Sequence, residues 1–164
     1  MNSTRIFIHG LEGSSQGTKA RFFRAGYSDM IVDDFKGNLG QRMDTLYNLV
    51  NNKTPLIMVG SSYGGLMATL FAYRNPEAVK KLILLAPALS LEEFTPYLTK
   101  KIDVPVTIYH GQNDDIVPLA PVYDIAKSIF QNLIFNIVND DHVLRHTFTS
   151  LNWDDLLESR YLLP

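Results

Sequence analysis

The chain contains no cysteine, which excludes disulfide bonds, thiolate metal sites and a cysteine nucleophile. No apolar run approaches the roughly 18 residues of a membrane span, so no membrane-spanning segment is expected. Charge of one sign is also missing. Fifteen basic residues against 17 acidic ones leave a formal net charge of -2, and such a surface has no general field to gather nucleic acid or an anionic membrane. The basic clusters stop at the dipeptides Lys80-Lys81 and Lys100-Lys101, which read as solvated surface. The apolar stretch "RIFIHG" starts at residue 5, too early for a leader with a charged segment, an apolar segment and a cleavage site. A cytoplasmic protein with no nucleic-acid partner is the expectation.

What is present is an ordinary globular composition, 46% hydrophobic and 20% charged over 164 residues, which predicts a single domain over residues 1–164. Six short apolar segments punctuate it: 5–9, 30–35, 56–60, 82–86, 106–110 and 133–138. Most are continuously hydrophobic, as strands covered on both faces must be. Between them lie helical spacings. Met43, Leu46, Tyr47 and Val50 fall at i, i+3, i+4 and i+7, as do Val122, Ile125, Ala126 and Ile129, with Pro121 suited to the first turn of the second helix. "LMATLFAY" is apolar all round, as a helix pressed against a sheet would be. The alternation predicts an α/β fold, a three-layer α/β/α sandwich with a mostly or fully parallel six-stranded sheet. Residues 87–105 are the one irregular stretch and the candidate lid. Ligands of such sheets bind beyond the carboxyl ends of the strands.

Gly60, Ser62 and Gly64 satisfy G-x-S-x-G between an apolar run read as a strand and one read as a helix. A tight strand-to-helix turn strains the central residue, and side chains two positions either side would clash, hence glycine at both. Ser62 is then the candidate nucleophile, with Ser61 pointing elsewhere; the plain alternative is a glycine-rich turn whose serine caps a helix. A serine hydroxyl needs a base, itself oriented by a third group. Asp114 follows the fifth predicted strand and His142 the sixth. Asp114 read alone is a turn or capping residue, and His142 alone a structural histidine. A rival set, Asp140, Asp141, His142 and His146, has the residue types of a metal site. The reading adopted takes no metal and no cofactor.

The chain order Ser62, Asp114, His142 is that of α/β-hydrolases. The stretches "FIHGLEGSSQGTKARFF", "GSSYGGLMAT", "HGQNDDIVP" and "DDHVLRH" together resemble that superfamily in a minimal form, and more narrowly its small YqiA-type bacterial esterases, over about residues 5–150. The resemblance implies Ser62 as nucleophile, His142 as base and Asp114 as acid, with Asp115 the alternative acid should the loop register shift. It also implies the backbone amides of Leu11 and Tyr63 as donors to a developing oxyanion. His9 would support the loop after the first strand.

The expected activity is a serine esterase working through an acyl-enzyme on a small-molecule acyl ester. A thioesterase, or a non-catalytic binding module on the same fold, stands as the alternative. Phe94, Tyr97, Ile116 and Val143 are expected to contact substrate, with Leu11, Tyr63, Val117, Leu89 and Leu91 completing an apolar pocket. The lid segment "EEFTPYL" read as a partner-binding patch is a third possibility. A monomer or homodimer is expected.

Overall fold

A computed structural model describes residues 2–158; the expected single unit of residues 1–164 runs beyond this span at both ends. The described residues contain six strands and six α-helices, which alternate except where β4 runs to β5 without an α-helix and α5 to α6 without a strand: β1 (Thr4–Ile8), α1 (Thr18–Gly26), β2 (Ile31–Val32), α2 (Leu39–Val50), β3 (Leu56–Ser61), α3 (Tyr63–Arg74), β4 (Val79–Leu85), β5 (Val106–Gly111), α4 (Leu119–Ile129), β6 (Leu133–Val138), α5 (Arg145–Ser150) and α6 (Trp153–Leu156). The strands form one sheet in the order β2-β1-β3-β4-β5-β6, every pair parallel.

Period-two alternation divides the strands between two apolar layers. Ile6, Ile8, Met58, Leu82, Leu84, Val106 and Ile108 face the layer containing α2, α3 and α4. Phe7, Ile57, Val59, Ile83 and Leu85 face the layer containing Phe23 of α1, Phe148 of α5 and Trp153 of α6. Both layers bury their residues almost completely, which is why the strands read as unbroken apolar runs.

The periodic residues of α2 mark its buried face, while its start is set by Asn38, whose side chain accepts from the Gln41 amide as Gln41 reaches back to the Asn38 amide. This reciprocal cap ties up two amides the helix cannot satisfy internally. The second strand is shorter than the expected 30–35. After Val32 the chain leaves the ladder: the Asp34 carboxylate accepts from the Ser15 amide at 2.6 Å, and the Phe35 amide donates to His9 at 2.9 Å.

The chain passes from β1 outward to β2, then back across β1 to β3. The strand order therefore reverses between β1 and β3, the place where open α/β sheets hold ligands. There α3 sits very close to β1. A Cβ on Gly64 would lie 2.0 Å from the Ile8 carbonyl oxygen, and one on Gly60 would lie 2.5 Å from the Gly64 carbonyl oxygen. Gly65 faces Pro87 instead, where a Cβ would lie 2.7 Å from the proline Cβ. No helix among the described residues is long and apolar enough to cross a membrane.

These contacts set a pair of opposite expectations. Gly64→Ala should lower the melting temperature sharply or prevent folding, because backbone must move to admit the methyl group. Gly26→Ala, whose Cβ meets nothing within 4 Å, should be neutral or stabilising by up to about 1 kcal/mol. Urea denaturation of the two variants checks both.

Candidate active site

Ser62 lies between β3 and α3 with φ 54° and ψ -115°, a region that a residue with a side chain occupies only under constraint. The constraint is visible in its bonds. Its amide donates to the Leu85 carbonyl at 2.9 Å, and its carbonyl accepts from Gly65 at 2.9 Å and Ala88 at 3.0 Å. Ala86 and Leu144 also have positive φ; they belong to the loops after β4 and β6, so backbone strain gathers at this edge of the sheet.

The loops after β5 and β6 interlock. Gly111 packs where a Cβ would lie 2.4 Å from the Asp140 carbonyl oxygen, and the Asn113 amide donates to that same oxygen at 3.2 Å. Asp141 accepts from the amides of Val143 at 2.9 Å and Leu144 at 3.2 Å, shaping the turn that carries His142. Asp140 accepts from its neighbour Asp141 and from Thr147 in the first turn of α5. Burial works to raise the Asp140 carboxyl, but the Thr147 and Asp141 amides and nearby His146 outweigh it, holding it below its ordinary value of 3.8.

This framework brings the three predicted side chains together. His142 Nε2 is 3.1 Å from Ser62 Oγ, and His142 Nδ1 is 2.8 Å from Asp114 Oδ2. A carboxylate only accepts, so Nδ1 carries the proton and Nε2 is left bare to take the serine hydroxyl. The other Asp114 oxygen accepts from the amides of Ile116 at 3.0 Å and Val117 at 2.7 Å. The Asp114 side chain is inaccessible to solvent, whereas Asp115 is exposed and takes no part in the row. In the rival metal set, Asp140 and Asp141 spend their oxygens on backbone amides.

His9 is buried, with Nε2 accepting from Phe35 and Nδ1 donating to the Gly10 carbonyl at 2.7 Å. Gly13 donates to the same carbonyl. Because a trans peptide sets C=O and N–H on opposite sides, fixing the Gly10 carbonyl also fixes the Leu11 amide. Tyr63 opens α3, so its amide has no acceptor within the helix. A Cβ on Gly10 would stand 3.2 Å from Ser62 Cβ and 3.7 Å from the Tyr63 nitrogen; the loop and the elbow thus adjoin. Asp34 steadies the loop further, and its carboxyl is lowered chiefly by the Ser15 amide.

A cavity of about 530 Å³ opens beside Ser62 and His142, walled by Leu11, Glu12, Lys19, Ile116 and Val143. Ser61 also lines it. Leu11, Ile116 and Val143 are large apolar side chains left 54%, 67% and 42% exposed, which marks a surface shaped for an apolar ligand. Lys19 ties this wall to the base loop by donating to the Val143 carbonyl at 2.6 Å, and burial lowers its ammonium from the ordinary value.

Two expected contacts require correction. Phe94 is fully buried in the apolar layer with α3. Tyr97 packs on Tyr73 and accepts from Arg74 at the far end of α3, roughly 18 Å along the helix from Ser62. Neither lines the cavity, and no residue of 87–105 does. That segment packs down through Leu89, Phe94, Ile102 and Val104, so it is not a lid over this cavity, and its central aromatic is unavailable as a docking patch. Tyr63 and Val117 likewise turn their side chains into the core.

A family model described as serine aminopeptidase, S33, matches residues 6–100. The chain belongs to this α/β-hydrolase family. The matched span contains Leu11, Ser62 and Tyr63 and ends before Asp114 and His142. Solved structures share the fold. Alpha/beta hydrolase domain-containing protein 10 from mouse is 22% identical, with 94% of this chain and 89% of that one covered at a TM-score of 0.78. A CIB-like hydrolase from Thermoplasma acidophilum is 20% identical over 94% and 86% of the two chains, TM-score 0.74. Est1E from Butyrivibrio proteoclasticus is 19% identical over 90% and 83%, TM-score 0.75. No curated protein matches in sequence.

The Asp140 bonds carry a pH signature in this family member. Its folded value lies below the unfolded one, so its contribution is present above 3.8 and is lost as pH falls through the folded value. Asp140→Asn should therefore cost about 1 kcal/mol at neutral pH, with the difference from the native chain shrinking in acid. Denaturation midpoints measured at several pH values read this directly.

Proposed function

We propose that the chain is a serine hydrolase that cleaves carboxylic esters through an acyl-enzyme. The observation that carries this reading is the hydrogen-bonded row from Ser62 through His142 to Asp114, standing at the mouth of an apolar cavity. His142 Nε2 takes the Ser62 proton as Oγ attacks the carbonyl carbon. The tetrahedral oxyanion is received by the amides of Leu11 and Tyr63, donors worth roughly 3 kcal/mol each in comparable sites. His142 then protonates the leaving alcohol and, in the second half, activates water against the acyl-serine. Asp114 holds the imidazole tautomer and steadies its charge.

The apolar rim of Leu11, Ile116 and Val143 favours uncharged acyl groups. A solved structure of Est1E is described as binding ferulic acid, an aromatic carboxylic acid, which is compatible with an acyl ester as substrate here. The activity in the family's description, aminopeptidase, is the second reading. Glu12 in the cavity wall supports it, because a free α-ammonium group needs an anionic partner.

The first test is covalent. A fluorophosphonate should label the native protein and leave Ser62→Ala unlabelled, and that variant should lose roughly four to six orders of magnitude in kcat. A folded native protein that takes no label would remove the acyl-enzyme. Comparing nitrophenyl esters with aminoacyl nitroanilides separates the two readings. Faster ester turnover, unaffected by Glu12→Gln, is expected; nitroanilide turnover that depends on Glu12 would favour the peptidase.

A further inference from the structure

His110 is the penultimate residue of β5, just before Gly111, and is completely buried. Its Nε2 donates to the Val117 carbonyl at 2.8 Å and stands 3.3 Å from Asp114 Oδ2, the oxygen that also meets His142. Val117 in turn donates its amide to Asp114 Oδ1. One N–H therefore grips the turn that holds Asp114 through the Val117 carbonyl, and the nitrogen that carries it lies close to the shared oxygen. The cost is visible at the other ring nitrogen: with the proton on Nε2, Nδ1 is a bare acceptor, buried without a partner. An orphaned polar atom is unfavourable, so packing against Phe135, whose ring centroid is 6.3 Å away, does not account for a histidine; an apolar ring would fill the space without it.

We propose that His110 is a positioning residue for the acid, holding the 114–117 turn and drawing negative charge at Oδ2 away from His142 so that the base releases its proton more readily. Burial lowers the His110 imidazole from its ordinary value of 6.5 despite the Val117 carbonyl and Asp114, which keeps it a neutral donor. The charged groups around the row are few. Asp114 and His110 come from β5 and its loop, and His142, Asp140 and Asp141 from the loop after β6. Lys19 faces from α1 and Arg145 from α5; Asp140, Asp141 and Arg145 all act on that ammonium, and His146 acts on Asp140.

The inference rests on His142 as the base, but its measurement needs no substrate. In full-length His110→Phe the donor is gone and the ring remains. Asp114 then holds the His142 proton more tightly, and the His142 ring should titrate at a higher pH than in the native protein, by about half a unit or more, a threefold change in its protonation equilibrium. His110→Gln, which keeps an N–H within reach, should recover at least half of the shift. NMR titration of the four histidines, assigned by substitution, reads this, and the acid limb of kcat/KM should move in parallel. His110→Leu supplies the donor-free comparison if the phenylalanine variant does not fold. An unmoved His142 titration overturns the proposal, as does an equal shift in the glutamine and donor-free variants. If the native protein hydrolyses no ester while the titration moves and is rescued, the esterase reading fails and the positioning role stands.

Discussion

The site depends on how closely α3 can approach the end of β1. With the space beside Gly64 occupied by the Ile8 carbonyl, the first turn of the helix rests directly on the strand that launches the Leu11 loop. Ser62 is forced into its positive φ by the same crowding, since its amide and carbonyl are already committed to the loop after β4. Helix, strand and loop therefore fix one another. The hydroxyl meets His142 at the cavity, and the two amides that would receive an oxyanion come from the two sides of this junction.

Much of the fold was legible because burial on both faces leaves an unmistakable mark. The runs at 56–60 and 106–110 are strands within a residue of the expected ends; that at 133–138 is a strand too, but at the edge of the sheet, with Ile134 and Ile137 left exposed. The second strand was read too long: after Val32 the Asp33 carboxylate turns back to accept from the Asp34 amide, and Asp34 and Phe35 bond to the loop after β1 instead of a strand. The first helix left little trace: only Ala20 and Phe23 of its nine residues are buried.

Within the site, chain order and strand-end position pointed to a meeting of Ser62, Asp114 and His142 in space, and they meet; their parts in turnover belong to the reading proposed above. Pocket residues were less legible. An apolar side chain facing a cavity and one facing the core have the same letter, so Phe94 reads like Ile116 although one is sealed in and the other lies open. His9 and His110 share a strand-His-Gly signature, and only the fold separates the one that braces the loop after β1 from the one that touches Asp114. A donor partner 26 residues away, such as the Phe35 amide for His9, leaves no local pattern.

The interlocking of Gly111 with the Asp140 carbonyl joins the loops after β5 and β6 into one body. Insertions or deletions in either would disturb both, so this half of the site has little freedom to drift. The opposite wall, residues 11 to 17, borders the cavity through a loop of its own. Evolution or engineering can thus reshape the cavity by rewriting that wall, while the interlocked half is inherited intact.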